Sequence, residues 1–302
     1  MEYPLLKRLI TESKSTLPVG VVYPLSLPAI ETSLELLQSQ VCKPVLIGPK
    51  DEIINLAKKE SISISGLEIV DTPNEPIAAT QKAVELVKEG KLSALMKGSL
   101  HTEDLMGPIV SREGLRTKNR TSHLFLFELA SYPKLLGISD CVVNISPNCA
   151  QKIEILKNSL NALDALGIED IKVAILAATE VINPAMVATT DAQEIIQIHI
   201  ANPIHHNTTI EGPFGFDNAI SAHSAKIKGM HSLVAGSPDL LLVPDLQAGN
   251  ILYKSLVYMA GAECAGVILG AQVPIILTSR SDSVFSRIAS TAMAVRLSHT
   301  TL

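Results

Sequence analysis

Short, uninterrupted apolar runs alternating with helical stretches constrain this chain more than any other feature. Val19-Gly-Val-Val-Tyr23 precedes Ala29 to Gln40, where apolar residues recur at helical spacing. Pro44-Val-Leu-Ile47 ends in Gly48-Pro49, a stop before a helix over Asp51 to Glu60. Leu67 to Val70, a helix over Glu75 to Lys88 and the strand Ala94-Leu-Met96 continue the rhythm. Strands apolar at nearly every position have both faces covered, so this βαβα order predicts a parallel sheet between helical layers. Leu124 to Leu129 and Cys141-Val-Val-Asn144 are further strand candidates.

A second unit of the same kind begins near Asn144. Helices are predicted over Ala150 to Leu166, Ala192 to Ile200, Ala248 to Ala262 and Arg287 to Leu297. Strands are predicted at Val173 to Ala177, Leu240 to Val243 and Pro274 to Leu277. No Pro/Ser tract, charge block or low-complexity segment separates the halves, and there is no strong internal repeat. The expected class is α/β, as two doubly wound domains, each with a central, mainly parallel sheet.

Composition removes several functions. The longest apolar stretch, Ala265 to Leu277, is broken by Gln272 and Pro274, so no membrane span is expected. The opening MEYPLLKRLITESK carries Glu2, Lys7 and Arg8 among its apolar residues and reads as an amphipathic helix, not a signal peptide. Cys42, Cys141, Cys149 and Cys264 form no CxxC pair and read as reduced thiols of a cytoplasmic protein. A net charge of -5, 3% aromatics and no Trp argue against nucleic-acid binding. GxGxxG after a strand, GxxxxGK[ST], GxSxG and HExxH are all missing, which weakens the nicotinamide, nucleoside-triphosphatase, hydrolase and zinc-protease readings. His199, His205 and His206 lie close together without ligand spacing, so no metal site is expected.

The glycines instead follow strands, in Lys97-Gly98, Glu211-Gly212-Pro213 and Pro244-Asp-Leu-Gln-Ala-Gly-Asn250. Ligands of open α/β sheets bind at the carboxyl ends of strands, so these loops are candidates for one site. Gly249 permits close backbone approach and the helix after it offers N–H groups to an anion; the plainer reading makes Asp245 or Asn250 an ordinary helix cap. Thr278-Ser279-Arg280-Ser281-Asp282-Ser283 joins three seryl hydroxyls, a threonyl hydroxyl and a guanidinium at a helix start, suited to a phosphate-sized anion, or simply to capping. Arg112, Arg116, Lys118 and Arg120 make the one basic segment, either a receiver of ligand phosphates or a solvated loop.

Taken together, these segments resemble the phosphate acetyltransferase and phosphate butyryltransferase family over nearly the whole chain. Val234-Ala-Gly-Ser-Pro-Asp-Leu-Leu-Leu-Val-Pro-Asp-Leu-Gln-Ala-Gly-Asn-Ile-Leu-Tyr-Lys254 looks like its VAG…PDLxAGNxxYK pattern. Gly212-Pro-Phe-Gly-Phe-Asp-Asn-Ala-Ile-Ser221 is similar to the butyryltransferase form, GPxxxDNAIS, and Ser279-Arg280 matches a Ser-Arg pair near the family's end. Lys97-Gly98 with His101-Thr102 resembles the loop before an early helix.

The resemblance implies two α/β domains with the active site in the cleft between them. The first comprises 1–143 plus 271–302; the second, 144–270, is inserted and carries a homodimer contact. It implies acyl exchange between coenzyme A and inorganic phosphate by direct transfer in a ternary complex, with coenzyme A as substrate and no cofactor. The catalytic candidates are Ser279, Arg280, Asp217 and Asp282. Substrate-binding candidates are Lys97, Gly98, His101, Thr102, Gly212, Asn218, Asp245, Gly249, Asn250, Lys254, Ser281 and Ser283. Acetyltransferases of the family commonly follow Ser-Arg with Gly-Cys-Ser and a downstream acid; here Ser-Asp-Ser follows, and Ser286 occupies the acid's position. The general base is therefore open between Asp217 and Asp282. This departure also leaves room for a non-catalytic CoA-binding or assembly module, and the two-domain layout for a metal- and NAD-dependent hydroxyacid dehydrogenase using Asp239 and Asp245.

Overall fold

The computed structural model describes residues 2–277 and 282–299. The chain forms two units, Glu2–Thr121 with Cys264–Leu302, and Ser122–Glu263.

In the first unit, α1 (Pro4–Glu12), β1 (Pro18–Val22), α2 (Leu27–Gln38), β2 (Lys43–Gly48), α3 (Lys50–Lys59), β3 (Glu68–Asp71), α4 (Pro76–Lys88), β4 (Ala94–Lys97) and α5 (Thr102–Val110) follow in order. Each helix carries its own start signal. Proline occupies the first turn of α1, α2 and α4, where no N–H is needed, and α3 has Asp51 and Glu52 in its first turn and Lys58 and Lys59 in its last. β1 and β2 are buried at nearly every position, because helices cover both faces.

The second unit contributes β5 (Ser122–Glu128), β6 (Leu136–Ser139), α6 (Cys149–Ala165), β7 (Ile171–Leu176), α7 (Val187–Ala201), β8 (Thr208–Phe214), α8 (Phe216–Ile220), α9 (Ala222–Ile227), β9 (Leu240–Leu242) and α10 (Leu246–Ala260). Its strand order is β5-β6-β9-β7-β8, parallel except where β5 runs against β6. α6 starts from a capping box in which Asn148 and Gln151 bond each other's backbone, and α10 stops at Gly261 in the left-handed region. Between α6 and α7 the Lys152 ammonium meets the Asp191 carboxylate at 2.6 Å, both side chains buried.

The chain then returns to the first unit with β10 (Glu263–Leu269), β11 (Ile275–Ile276) and α11 (Val284–Ser298). The strand order there is β3-β2-β1-β4-β11-β10, parallel except for β10 against β11. α11 buries 11 of its 15 residues. Small polar residues permit that: the Cys264 N–H donates to Ser286 Oγ at 3.2 Å, and the Gly266 N–H to Ser290 Oγ at 2.9 Å. No described helix is long and apolar enough to cross a membrane.

One expected strand does not form. Cys141-Val-Val-Asn144 curls away from the sheet after β6, because Asp140 Oδ1 accepts the N–H groups of Val142 and Val143 at 2.8 and 2.9 Å. A carboxylate closing on the two following amides outcompetes β propensity there.

Candidate functional site

In each unit the parallel strands end at one edge, and the expected site residues follow those ends. In the first unit, Lys97 closes β4 and its Cα pairs with Val22 at the end of β1. The Gly98 N–H continues that ladder to the Val22 carbonyl at 2.9 Å. A Cβ on Gly98 would lie 2.3 Å from the same oxygen, so glycine is obligatory for this turn. Ser99 Oγ is buried with no hydrogen-bond partner among the described residues. His101 then stands exposed at the cap position of α5, with Thr102 exposed at its first turn.

β11 runs parallel to β4, Ile275 opposite Leu95 and Ile276 opposite Met96. Ser279, Arg280 and Ser281 follow it and lie outside the described residues. Beyond them Asp282 is half-buried, and the helix cap is Ser283, whose Oγ accepts the Ser286 N–H at 2.9 Å. Ser286 is itself enclosed against Cys264, as a hydroxyl joining helix to strand. The basic segment is anchored rather than loose: Arg116 bridges Ala271, and Thr117 Oγ1 donates to the Gly270 carbonyl at 2.7 Å. Arg112, Arg116 and Lys118 are exposed.

In the second unit, β8 passes through Gly212, and the short helix α8 presents Asp217 outward and Asn218 inward. Asp217 is 57% exposed and lies 3.4 Å from the Lys228 ammonium, which also reaches Glu180 at 3.3 Å. Asn218 is fully buried; its Nδ2 donates to Glu180 at 3.3 Å, while its Oδ1 has no partner among the described residues. An orphaned buried acceptor costs about 1–3 kcal/mol, so such groups concentrate where a ligand can satisfy them. Ser99 was missed in the sequence, though it directly follows Lys97-Gly98.

The loop after β9 is more committed to its own fold. Asp245 caps α10, accepting the Ala248 N–H at 2.9 Å. Gly249 does allow close backbone approach, but of the protein's own chain: its Cβ would meet the Asp140 carbonyl oxygen at 2.9 Å and the Cys141 Cα at 3.1 Å. Asn250 Nδ2 donates to the Cys141 carbonyl at 3.2 Å. Tyr253 stacks on Phe125, leaving Lys254 exposed on the other side of the helix.

Asp140 is a second residue that sequence reasoning overlooked. Besides Val142 and Val143, its carboxylate accepts the His123 N–H at 3.1 Å and Asn144 Nδ2 at 2.6 Å. The His123 ring is buried with neither nitrogen partnered among the described residues. Burial pushes it down to about 4, against the pull of the Asp140 carboxylate. Asp239, the other carboxylate required by the dehydrogenase reading, pairs with Lys134 at 2.5 Å and accepts the Lys172 N–H at 2.8 Å. Protein groups therefore already occupy both Asp239 and Asp245.

Known proteins match this chain over most of its length. Residues 77–295 match the family model described as "Phosphate acetyl/butaryl transferase". A phosphate acetyltransferase of Rhizobium meliloti is 40% identical over 292 residues, covering 95% of this chain and 91% of that protein. A phosphate butyryltransferase of Clostridium acetobutylicum is 36% identical over 284 residues, covering 94% of each. Among solved structures, a branched-chain phosphotransacylase of Enterococcus faecalis V583 superposes with a TM-score of 0.83 at 29% identity, covering 94% of this chain and 99% of that one.

Proposed function

Since the chain belongs to the phosphate acetyl/butyryl transferase family, we propose that it exchanges a short-chain acyl group between coenzyme A and inorganic phosphate, forming an acyl phosphate. The observation that carries this is identity of 40% and 36% to an acetyltransferase and a butyryltransferase across more than nine-tenths of the chain.

In the direction of acyl-CoA formation, the coenzyme A thiol attacks the carbonyl of the mixed anhydride, and phosphate leaves. A thiol is mostly protonated at neutral pH, so a carboxylate within hydrogen-bond reach assists, and Asp217 and Asp282 are the candidates. Asp217 is accessible, and its Lys228 partner holds it beside Asn218 and Glu180. Ser279 with backbone N–H groups would receive the developing oxyanion, and Arg280 would hold phosphate by charge-assisted bonds. In the first unit, Lys97, Gly98, His101, Thr102, Ser281 and Ser283 would bind substrate, chiefly its anionic groups. In the second unit, Gly212, Asn218, Asp245, Gly249, Asn250 and Lys254 would contribute to substrate binding, the glycines and caps by holding their loops. The anchored basic segment suits the phosphates of coenzyme A.

The GPxxxDNAIS and SRSDS patterns lead us to expect butyryl-CoA to be used at least as well as acetyl-CoA. A homodimer would cover the face of α10 that exposes Ile251, Tyr258 and Met259. Four free cysteines, three of them buried, suit the reducing cytoplasm.

The test is incubation with acetyl-CoA or butyryl-CoA, with and without phosphate, while free thiol is measured. Phosphate-dependent thiol release is expected. Binding of coenzyme A without turnover would favour an assembly module, and NAD reduction with a hydroxyacid would favour the dehydrogenase.

A further inference from the structure

At the opposite, amino-terminal edge of the second unit's sheet, the fold brings a carboxylate up to a pair of adjacent histidines that lies far from it in the chain. Asp164 sits in the last turn of α6, and His205 and His206 sit in the loop between α7 and β8. Asp164 Oδ2 lies 3.9 Å from His205 Nε2 and 3.8 Å from His206 Nε2. One ligand atom from each residue falls within 4.8 Å of the other two. From these observations we propose that Asp164, His205 and His206 bind one divalent transition-metal cation of the zinc type, with solvent completing the coordination.

Four observations support it. First, 3.8–3.9 Å is too long for a charge-assisted hydrogen bond, which runs about 2.7–2.9 Å. It is close to the spacing of donors around a shared ion: bonds of about 2.0–2.1 Å in a tetrahedron put ligand atoms roughly 3.4 Å apart. Asp164 and the exposed His206 can draw in by the remaining half ångström or so by side-chain rotation.

Second, the tautomer of His205 is set. Its Nδ1 is 2.7 Å from the His206 carbonyl, which only accepts, so Nδ1 is the donor and in the neutral ring the lone pair falls on Nε2. A ligating imidazole held by an outer hydrogen bond is what metal sites use. The two imidazoles stack at 4.2 Å with 24° between planes, so they approach the site side by side.

Third, the loop is shaped for this arrangement. His199 is not a ligand, because its Nδ1 accepts the Ile204 N–H and its Nε2 faces the Thr208 carbonyl, both at 3.1 Å. It fixes the turn instead, and Asn207, at φ 46°, supplies the left-handed bend that follows the pair. Fourth, a cavity of about 360 Å³ is lined by two of the three donors, His205 and His206, with Asn207 and Thr208, and has room for water ligands.

Two imidazoles and one carboxylate suit zinc-type ions; magnesium and calcium prefer all-oxygen shells. The bound cation would tie the end of α6 to the strand-leading loop, away from the strand ends that carry the transferase candidates.

The test titrates ZnCl2 into the full chain, freed of metal with EDTA and desalted, by calorimetry. One equivalent should bind, and Asp164→Asn and His206→Ala should each weaken binding by at least about tenfold. Zinc should raise the melting temperature of the parent protein and not of either variant. Both variants should keep a parent-like circular dichroism spectrum and phosphate-dependent thiol release. Co2+ should give d–d bands without a thiolate charge-transfer band. Absence of binding, unchanged affinity in both folded variants, or a thiolate band assigning the ion to cysteine would each overturn the proposal.

Discussion

The side-chain amide of Asn250 donates to the main-chain carbonyl of Cys141 at 3.2 Å, docking the first turn of α10 on the turn after β6. Its neighbour Gly249 lies against the Asp140 carbonyl with no room for a methyl group. Gly249→Ala would push the helix off this turn and should cost about 1–3 kcal/mol in urea denaturation. It should also lower phosphate-dependent thiol release, because the loop carrying Asp245 and Asn250 would shift. Parent-like stability and rate together would show the contact to be loose.

Lys152 and Asp191 form a buried pair at 2.6 Å between α6 and α7. Lys152→Met alone strands a buried carboxylate and should cost about 3–5 kcal/mol. Combining it with Asp191→Leu should recover most of that loss. The measurement is a double-mutant cycle of melting curves; additive losses would contradict the pairing.

The His123 ring is held neutral in the folded chain, down at about 4, by burial against the pull of Asp140. An unfolded histidine titrates near 6.5, so between about pH 6.5 and about pH 4 the unfolded chain binds the additional proton. This residue's contribution to stability is therefore complete above about pH 6.5 and falls as the pH drops through that window. His123→Leu should flatten the dependence, read as the urea midpoint at about pH 7 and about pH 5. An unchanged slope would mean that other groups set it.

If Arg280 holds phosphate as proposed, Arg280→Ala should lower turnover by orders of magnitude while the circular dichroism spectrum stays parent-like. Near-normal phosphate-dependent thiol release from the folded variant would remove Arg280 from the mechanism.

Asp217 is 57% exposed, so losing its contact with Lys228 should leave the melting temperature close to the parent's. If it is the base, Asp217→Asn should nonetheless abolish the acidic limb of the rate profile, and Asp282→Asn should retain it. The reverse result would make Asp282 the base.

The sequence by itself determined the class of fold and the reaction family. Runs such as Val19–Val22 and Leu240–Leu242 can satisfy burial on two faces only as interior strands, and apolar patterning is local. Motifs such as PDLQAGN and GPFGFDNAIS are contiguous, so they too were legible. What only the tertiary structure decided are the roles that depend on partners distant in the chain. Gly249 packs on Asp140, Asn250 holds Cys141, and Asp217 meets Lys228. Cys141–Asn144 has the composition of a strand, yet the Asp140 carboxylate bends it into a turn. His205 and His206 show no ligand spacing because the third donor, Asp164, comes from the end of α6. Hydrogen-bond and ligand geometry operates over about 2–3 Å, and residues remote in sequence reach that separation only once the strands and helices have packed.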